Sequence, residues 1–254
     1  MSEYFMNVFY YIQNGLNKKK LHMTLIDPEK ETIESVTEKV KASDELGTYA
    51  YMVGGSTDFS QSHLDEIIQT IKKYTNKPVI LFPGNANGIS RYADAIYFMM
   101  LLNSTSIEFL VRQQMRGAPI IKKLNLEPIP LGYIVIEPGM KVGEVGKAEL
   151  IKSNEVEKAI AYAITAEYYG MKMVYLEAGS GAYAHVPEEI ITGVKKNIKI
   201  PVIVGGGITN PVIAEKILRA GADVIVTGTL LEKSKNYGML SDIIKLTENL
   251  KNET

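Results

Sequence analysis

The segment Leu25-Ile26-Asp27-Pro28 sets a carboxylate directly after an apolar run, and Gly54-Gly55-Ser56 sets a hydroxyl directly after the next one. A few hard oxygen donors of this kind suit Mg²⁺, which keeps most of its coordination for water and phosphate oxygens. Asp27 is equally placed to cap a helix that begins at Pro28, and the two readings stand side by side. A second carboxylate lies in Tyr175-Leu176-Glu177-Ala178-Gly179-Ser180-Gly181-Ala182. There Glu177 could accept a hydroxyl proton or hydrogen bonds from a polyol, while Ser180 and its flanking glycines offer donors to a phosphate. The alternative makes Glu177 the ion-pair partner of a nearby Lys or Arg.

Two further glycine clusters, Gly205-Gly206-Gly207-Ile208 and Gly228-Thr229, also follow apolar runs. Glycine lets backbone N–H groups approach an anion closely, and a pair of such loops makes a phosphate cradle. Thr209 or Asn210 then caps the next helix, with Pro211 suited to its first turn. The plain alternative is that these glycines only make tight turns.

For these residues to act together, one scaffold must bring all the strand ends to the same face. Strand-length apolar runs alternate with helical patterns along the chain. Strands are expected at Leu21–Ile26, Tyr49–Val53, Pro78–Phe82, Ala95–Leu102, Ile129–Ile136, Met173–Leu176, Val202–Val204 and Val224–Val226. Helices are expected at Glu29–Leu46, Gln61–Tyr74, Ser106–Leu124, Glu155–Tyr169, Pro187–Asn197, Pro211–Ala220 and Ser234–Lys251. Runs such as Val202-Ile203-Val204 fit parallel strands covered on both faces. Eight such units without a Ser/Gly-rich linker predict a (β/α)₈ barrel, one domain over residues 1–254. Between Phe82 and Asp94 the turn-forming Pro83-Gly84-Asn85-Ala86-Asn87-Gly88 leaves no room for a crossover helix. The third βα helix is therefore expected to be missing or replaced by an extended segment. In barrels of this kind the loops after strands seven and eight often hold phosphate.

The chain of 254 residues carries 28 Lys plus Arg against 29 Asp plus Glu, a net charge of −1. No global basic field exists to gather nucleic acid, so any phosphate must be captured locally. The absence of cysteine excludes disulfides, thiolate metal sites and a cysteine nucleophile, and fits a cytoplasmic protein. No signal peptide or transmembrane run is expected. His22, His63 and His185 have no zinc spacing; His22 is expected to be buried at strand one, and His185 to lie near the mouth. Strand six has no Lys at its tip, which counts against a Schiff-base aldolase.

Taken together, the strand-one, strand-two and strand-six motifs and both glycine loops resemble the geranylgeranylglyceryl phosphate synthase family. Asn103-Ser104, Glu137-Pro138-Gly139 and the shortened third unit match it as well, so the resemblance covers nearly the whole chain. It implies transfer of geranylgeranyl from geranylgeranyl diphosphate to sn-glycerol 1-phosphate, the first ether bond of archaeal membrane lipids. It assigns Asp27 and Ser56 to Mg²⁺. It assigns Tyr175, Leu176, Glu177, Ala178, Gly179, Ser180, Gly181, Gly206, Gly207, Gly228 and Thr229 to glycerol phosphate. Bacterial relatives using heptaprenyl diphosphate carry Lys two residues before the strand-one Asp, where this chain has Leu25. The resemblance is thus to the mostly archaeal branch, whose members are homo-oligomers, hexamers among them.

On the chemistry, a departing diphosphate gathers negative charge that Mg²⁺ would neutralise, and the allylic fragment needs a dry apolar slot. Phe82, Tyr97, Phe98, Met99, Met100 and Tyr133 are the candidate slot residues, with ordinary core as the favoured alternative for most of them, and Glu177 is the candidate catalytic base. The rival readings are another phosphate-binding barrel of thiamin, tryptophan or histidine synthesis, and a non-catalytic barrel that binds a phosphorylated metabolite.

Overall fold

Strands β1 (Leu21–Ile26), β2 (Ala50–Val53), β3 (Val79–Leu81), β4 (Ala95–Leu101), β5 (Glu127–Val135), β6 (Met173–Glu177), β7 (Val202–Gly205) and β8 (Val224–Thr227) form the frame of the computed structural model. They pair in parallel in that order, and β8 returns to β1 with Thr227 opposite Thr24, closing a barrel. The expected (β/α)₈ fold is the one observed. The structure describes residues 7–55, 59–228, 230 and 237–250.

Alternation along each strand divides the core. Met23, Met52, Ile80, Tyr97, Leu131, Tyr175, Ile203 and Val224 meet inside the barrel. The residues between them, such as Val174, Val204 and Ile225, pack outward under the helices. Both faces are buried, which is why the strands read as continuous apolar runs.

The outer helices are α2 (Ile33–Glu45), α3 (Gln61–Tyr74), α4 (Gln113–Leu124), α6 (Val156–Tyr168), α7 (Glu188–Asn197), α8 (Pro211–Arg219) and α9 (Tyr237–Asn249). Their starts have local causes. Thr32 and Ser35 make a reciprocal capping box before α2, Ser60 caps α3, and Asn210 caps α8 with Pro211 in its first turn. The helix expected from Glu29 thus starts later, and Asp27 is not its cap. A π-helical turn, Glu108–Arg112, precedes α4 where one uninterrupted helix was expected.

No helix follows β3. Residues 82–94 instead run as turns, with Gly88 N–H donating to Asn85 and Ile89 reaching Gly117 of α4. This gap in the helical layer is what opens a slot beside β4.

Two helices have no counterpart in the sequence reading. The first, α1 (Val8–Leu16), places Val8, Ile12 and Leu16 against the barrel interior, so it closes the end opposite the strand tips. Nine residues are too few for an independent helix, and burial of this stripe sustains it. Glu127 accepts from the amides of Val8 (2.6 Å) and Phe9 (3.0 Å), an anion at the positive helix end. The second, α5 (Met140–Val145), lies over the mouth between β5 and α6.

Candidate functional site

Asp27 stands just past β1 and is 8% exposed. Its Oδ2 lies 3.0 Å from Lys30 Nζ, and its Oδ1 accepts from Glu29 N–H at 3.3 Å. The loop that carries it is fastened from two sides. His63 of α3 has its Nε2 3.0 Å from Pro28 O and 3.1 Å from Glu31 O; both are acceptors, so Nε2 carries the proton. Glu31 is itself buried in an ion pair with Lys39. Across the rim, a Cβ on Gly55 would lie 2.6 Å from Asp27 Oδ1, so glycine there leaves the space that the carboxylate occupies. Ser56, predicted as the second oxygen donor, falls outside the described residues. Among the described residues no three His, Asp or Glu side chains are grouped so that they could hold a metal ion by themselves.

From this carboxylate a cavity of about 370 Å³ runs toward the missing helix. Its walls are mostly apolar: Phe82, Tyr97, Phe98, Met99 and Tyr133, all predicted for the slot, joined by Phe109 and Ile121. Met100 is not among them: it shares the outward face of β4 with Phe98 but packs against the core under the later helices, away from the slot. Lys30 and Lys141 sit at the polar rim.

A second cavity of about 450 Å³ lies over the ends of β6, β7 and β8. Tyr175, Glu177, Ser180, Gly181, Gly206, Gly207 and Gly228 line it, together with Thr227, which the sequence reading did not single out. No Lys, Arg or His lines it among the described residues. Gly206 (φ 83°) and Gly207 (φ 70°) hold left-handed backbone, and a Cβ on Gly207 would sit 2.4 Å from Ala184 O. The glycines therefore serve both the turn and the close packing of the two loops. Leu176 and Ala178 point into the helical-layer core, so only their main chain faces the site. The Gly179 amide is engaged by Glu177. Thr229 falls outside the described residues.

The cavities meet at Leu25, Glu177 and Ser180, which line both. Glu177 is 5% exposed; its Oε1 accepts from Gly179 N–H at 2.6 Å and its Oε2 from the Tyr133 hydroxyl at 3.1 Å. Burial raises the pKa of this carboxyl above the ordinary value, and the Gly179 amide and the nearby Tyr133 and Tyr175 hydroxyls oppose that rise. Its partners among the described residues are tyrosines and an amide, so the Lys or Arg partner considered as an alternative is not what the fold supplies. Phe82, Tyr133 and Tyr175 pack edge-on and stacked around this junction, with ring centroids 5.2–5.5 Å apart.

The family model described as the PcrB family matches residues 14–247. The chain belongs to the PcrB family. It is 47% identical over 240 residues to the geranylgeranylglyceryl phosphate synthase of Picrophilus torridus, covering 94% of this chain and 99% of that one. Among solved structures it matches (S)-3-O-geranylgeranylglyceryl phosphate synthase from Thermoplasma acidophilum in complex with its substrate sn-glycerol-1-phosphate. The TM-score is 0.93 and the identity 43%, over 96% of this chain and 100% of that one. Thiamine phosphate pyrophosphorylase from Pyrococcus furiosus aligns over 92% of this chain and 97% of that one, at 17% identity and a TM-score of 0.59, and shares the fold alone. The resemblance drawn from the motifs is thus borne out for the family, and the thiamin-type rival loses its ground.

Proposed function

We propose that this chain is a prenyltransferase that transfers geranylgeranyl from geranylgeranyl diphosphate to sn-glycerol 1-phosphate, the first ether bond of archaeal membrane lipids. The observation that carries this reading is the meeting of an apolar cavity and a backbone-donor cavity at one buried carboxylate, Glu177. In it, the prenyl chain occupies the slot beside β4 with its diphosphate toward Asp27. Glycerol phosphate sits in the second cavity, its phosphate on the amides around Gly181, Gly206, Gly207 and Gly228. The 3-hydroxyl, farthest from that phosphate, then points to the junction. Its oxygen bonds to the allylic carbon as the carbon–oxygen bond to diphosphate breaks, and Glu177 takes the hydroxyl proton. The apolar walls keep water from the allylic carbon, and the tyrosine and glycine contacts hold Glu177 in place.

Asp27 fits Mg²⁺, since one buried-edge carboxylate with substrate oxygens and water is the ion's usual setting; Ser56 is the proposed second donor. When bound, the ion would neutralise charge on the leaving diphosphate. We further propose a homo-oligomer in the cytoplasm. The exposed apolar residues Ile107 just before the π-turn, Val111 on it and Met115 on α4 support association, and a hexamer is the proposed form. No helix among the described residues is long and apolar enough to cross a membrane.

The test is ether-lipid formation from the two substrates with Mg²⁺ or with a chelator, for the wild type and for Asp27→Asn. Expected are product only with Mg²⁺ and a loss of at least about 10²-fold in a folded Asp27→Asn variant. Binding of both substrates with no ether product would support the non-catalytic reading. Undiminished turnover in Asp27→Asn would remove the metal assignment.

A further inference from the structure

Directly after β1, Asp27 to Lys30 form a turn in which Lys30 N–H donates to Asp27 O at 3.0 Å, with Pro28 at the position its fixed φ suits. From this turn Lys30 reaches back to place its Nζ 3.0 Å from Asp27 Oδ2, and both residues line the apolar cavity. Beyond the turn the chain is anchored on α2. There Glu31 is buried, pairs with Lys39 and accepts from Ser35 Oγ at 2.5 Å.

The turn itself is held from α3 by His63. One Nε2–H is shared by Pro28 O at 3.0 Å and Glu31 O at 3.1 Å, the carbonyls on either side of Glu29 and Lys30. Two features of α3 fix where that ring stands. His63 lies in its first turn, with its own N–H donating to the capping Ser60 Oγ at 3.2 Å, and Leu64, Ile67, Ile68 and Ile71 seat the helix in the core. A lysine is a point charge on a flexible stem, so its service to a diphosphate depends on where its backbone is held. His63 lines neither cavity, and no motif of the sequence includes it.

We propose that His63 is a positioning residue for prenyl diphosphate: its Nε2–H holds the turn that presents Lys30 to the diphosphate. This rests on the diphosphate lying at the Asp27 end of the apolar cavity. His63 touches no substrate and acts through Lys30.

Side-chain reach supplies the variants. The Gln amide nitrogen lies about where Nε2 does and can donate, the Asn amide stops about where Nδ1 lies, and Leu donates nothing. His63→Leu and His63→Asn are each expected to raise the KM for geranylgeranyl diphosphate about fivefold, the loss of one hydrogen bond. The KM for sn-glycerol 1-phosphate should not move, and His63→Gln should keep the wild-type values. The polar Asn variant carries the comparison if Leu at the helix start impairs folding. With Lys30→Met already in place, either loss variant should add little, because residues that act through one another are not additive. An unchanged KM for prenyl diphosphate in the folded loss variants overturns the proposal. Equal rises for both substrates, a His63→Gln variant no better than His63→Leu, or full additivity with Lys30→Met overturn it as well. Lys30→Met by itself tests the reading beneath. If it leaves the KM for prenyl diphosphate at the wild-type value, the diphosphate is not at the Asp27 end, and the site reading fails and the proposal with it. A raised KM in Lys30→Met beside an unchanged one in His63→Leu and His63→Asn removes His63 alone.

Discussion

The two ends of this barrel mouth are built by opposite means. At the Asp27 end the work falls to side chains: Asp27 pairs with Lys30, His63 ties down their loop, and Lys141 stands at the rim. At the other end the donors are backbone amides and hydroxyls in left-handed glycine turns, without a cation among the described residues. The difference follows from what each phosphate does in the proposed reaction. A leaving diphosphate gains charge during the step and must then depart, which calls for mobile charges and a metal. The glycerol phosphate is a handle that must not move, and packed loops hold it without side-chain entropy to lose.

The comparison is sharpest at the junction, where Glu177→Gln is expected to lower turnover about 10²–10⁴-fold with little change in the KM for glycerol phosphate. The pH profile gives a second reading. Burial raises the Glu177 pKa, so kcat/KM should fall on the acid side at a pH above the ordinary carboxylate range, where Glu177 takes up its proton. Glu177→Gln should lose that acid limb. If KM rises with turnover unchanged, Glu177 positions substrate and ionisation of the diphosphate is the catalysed event.

A smaller effect is expected from Lys30→Met, which should raise the KM for prenyl diphosphate about tenfold and leave that for glycerol phosphate alone. Equal changes in both would mean that the two ends share their charges and are not separate devices. The smallest effect is in salt dependence. Raising ionic strength from about 0.05 M to about 0.5 M should weaken prenyl diphosphate several-fold, and glycerol phosphate less. A steeper dependence for glycerol phosphate would point to a cation at the glycine end.

The glycine end was the more legible in sequence, since a turn with left-handed φ leaves glycine as its signature at the position where it is needed. Asp27 was legible as a strand-end carboxylate, but whether it caps α2 turned on where that helix begins, which Thr32 and Ser35 decide. Lys30 could have been found by its spacing from Asp27. The contact between Tyr133 and Glu177 could not, because it depends on the β5–β6 register that sets Tyr133 beside Tyr175. Nor could the split of the slot residues: Phe98 and Met100 share the outward face of β4, and only Phe98 lies where the missing helix opens that face to the slot.

The order of the strands, the barrel class, the gap after β3 and the glycine loops all came from local pattern: apolar period, capping residues and turn chemistry act over a few neighbours and leave a local trace. The closure of the barrel decided the rest. It seated α1 under the core against Glu127, and joined two cavities at Glu177. It also put His22 within reach of Thr227 across the β1–β8 seam, a pairing of residues from opposite ends of the chain. Contacts of that range depend on how strands register and which faces they bury, and no single stretch of sequence carries that information.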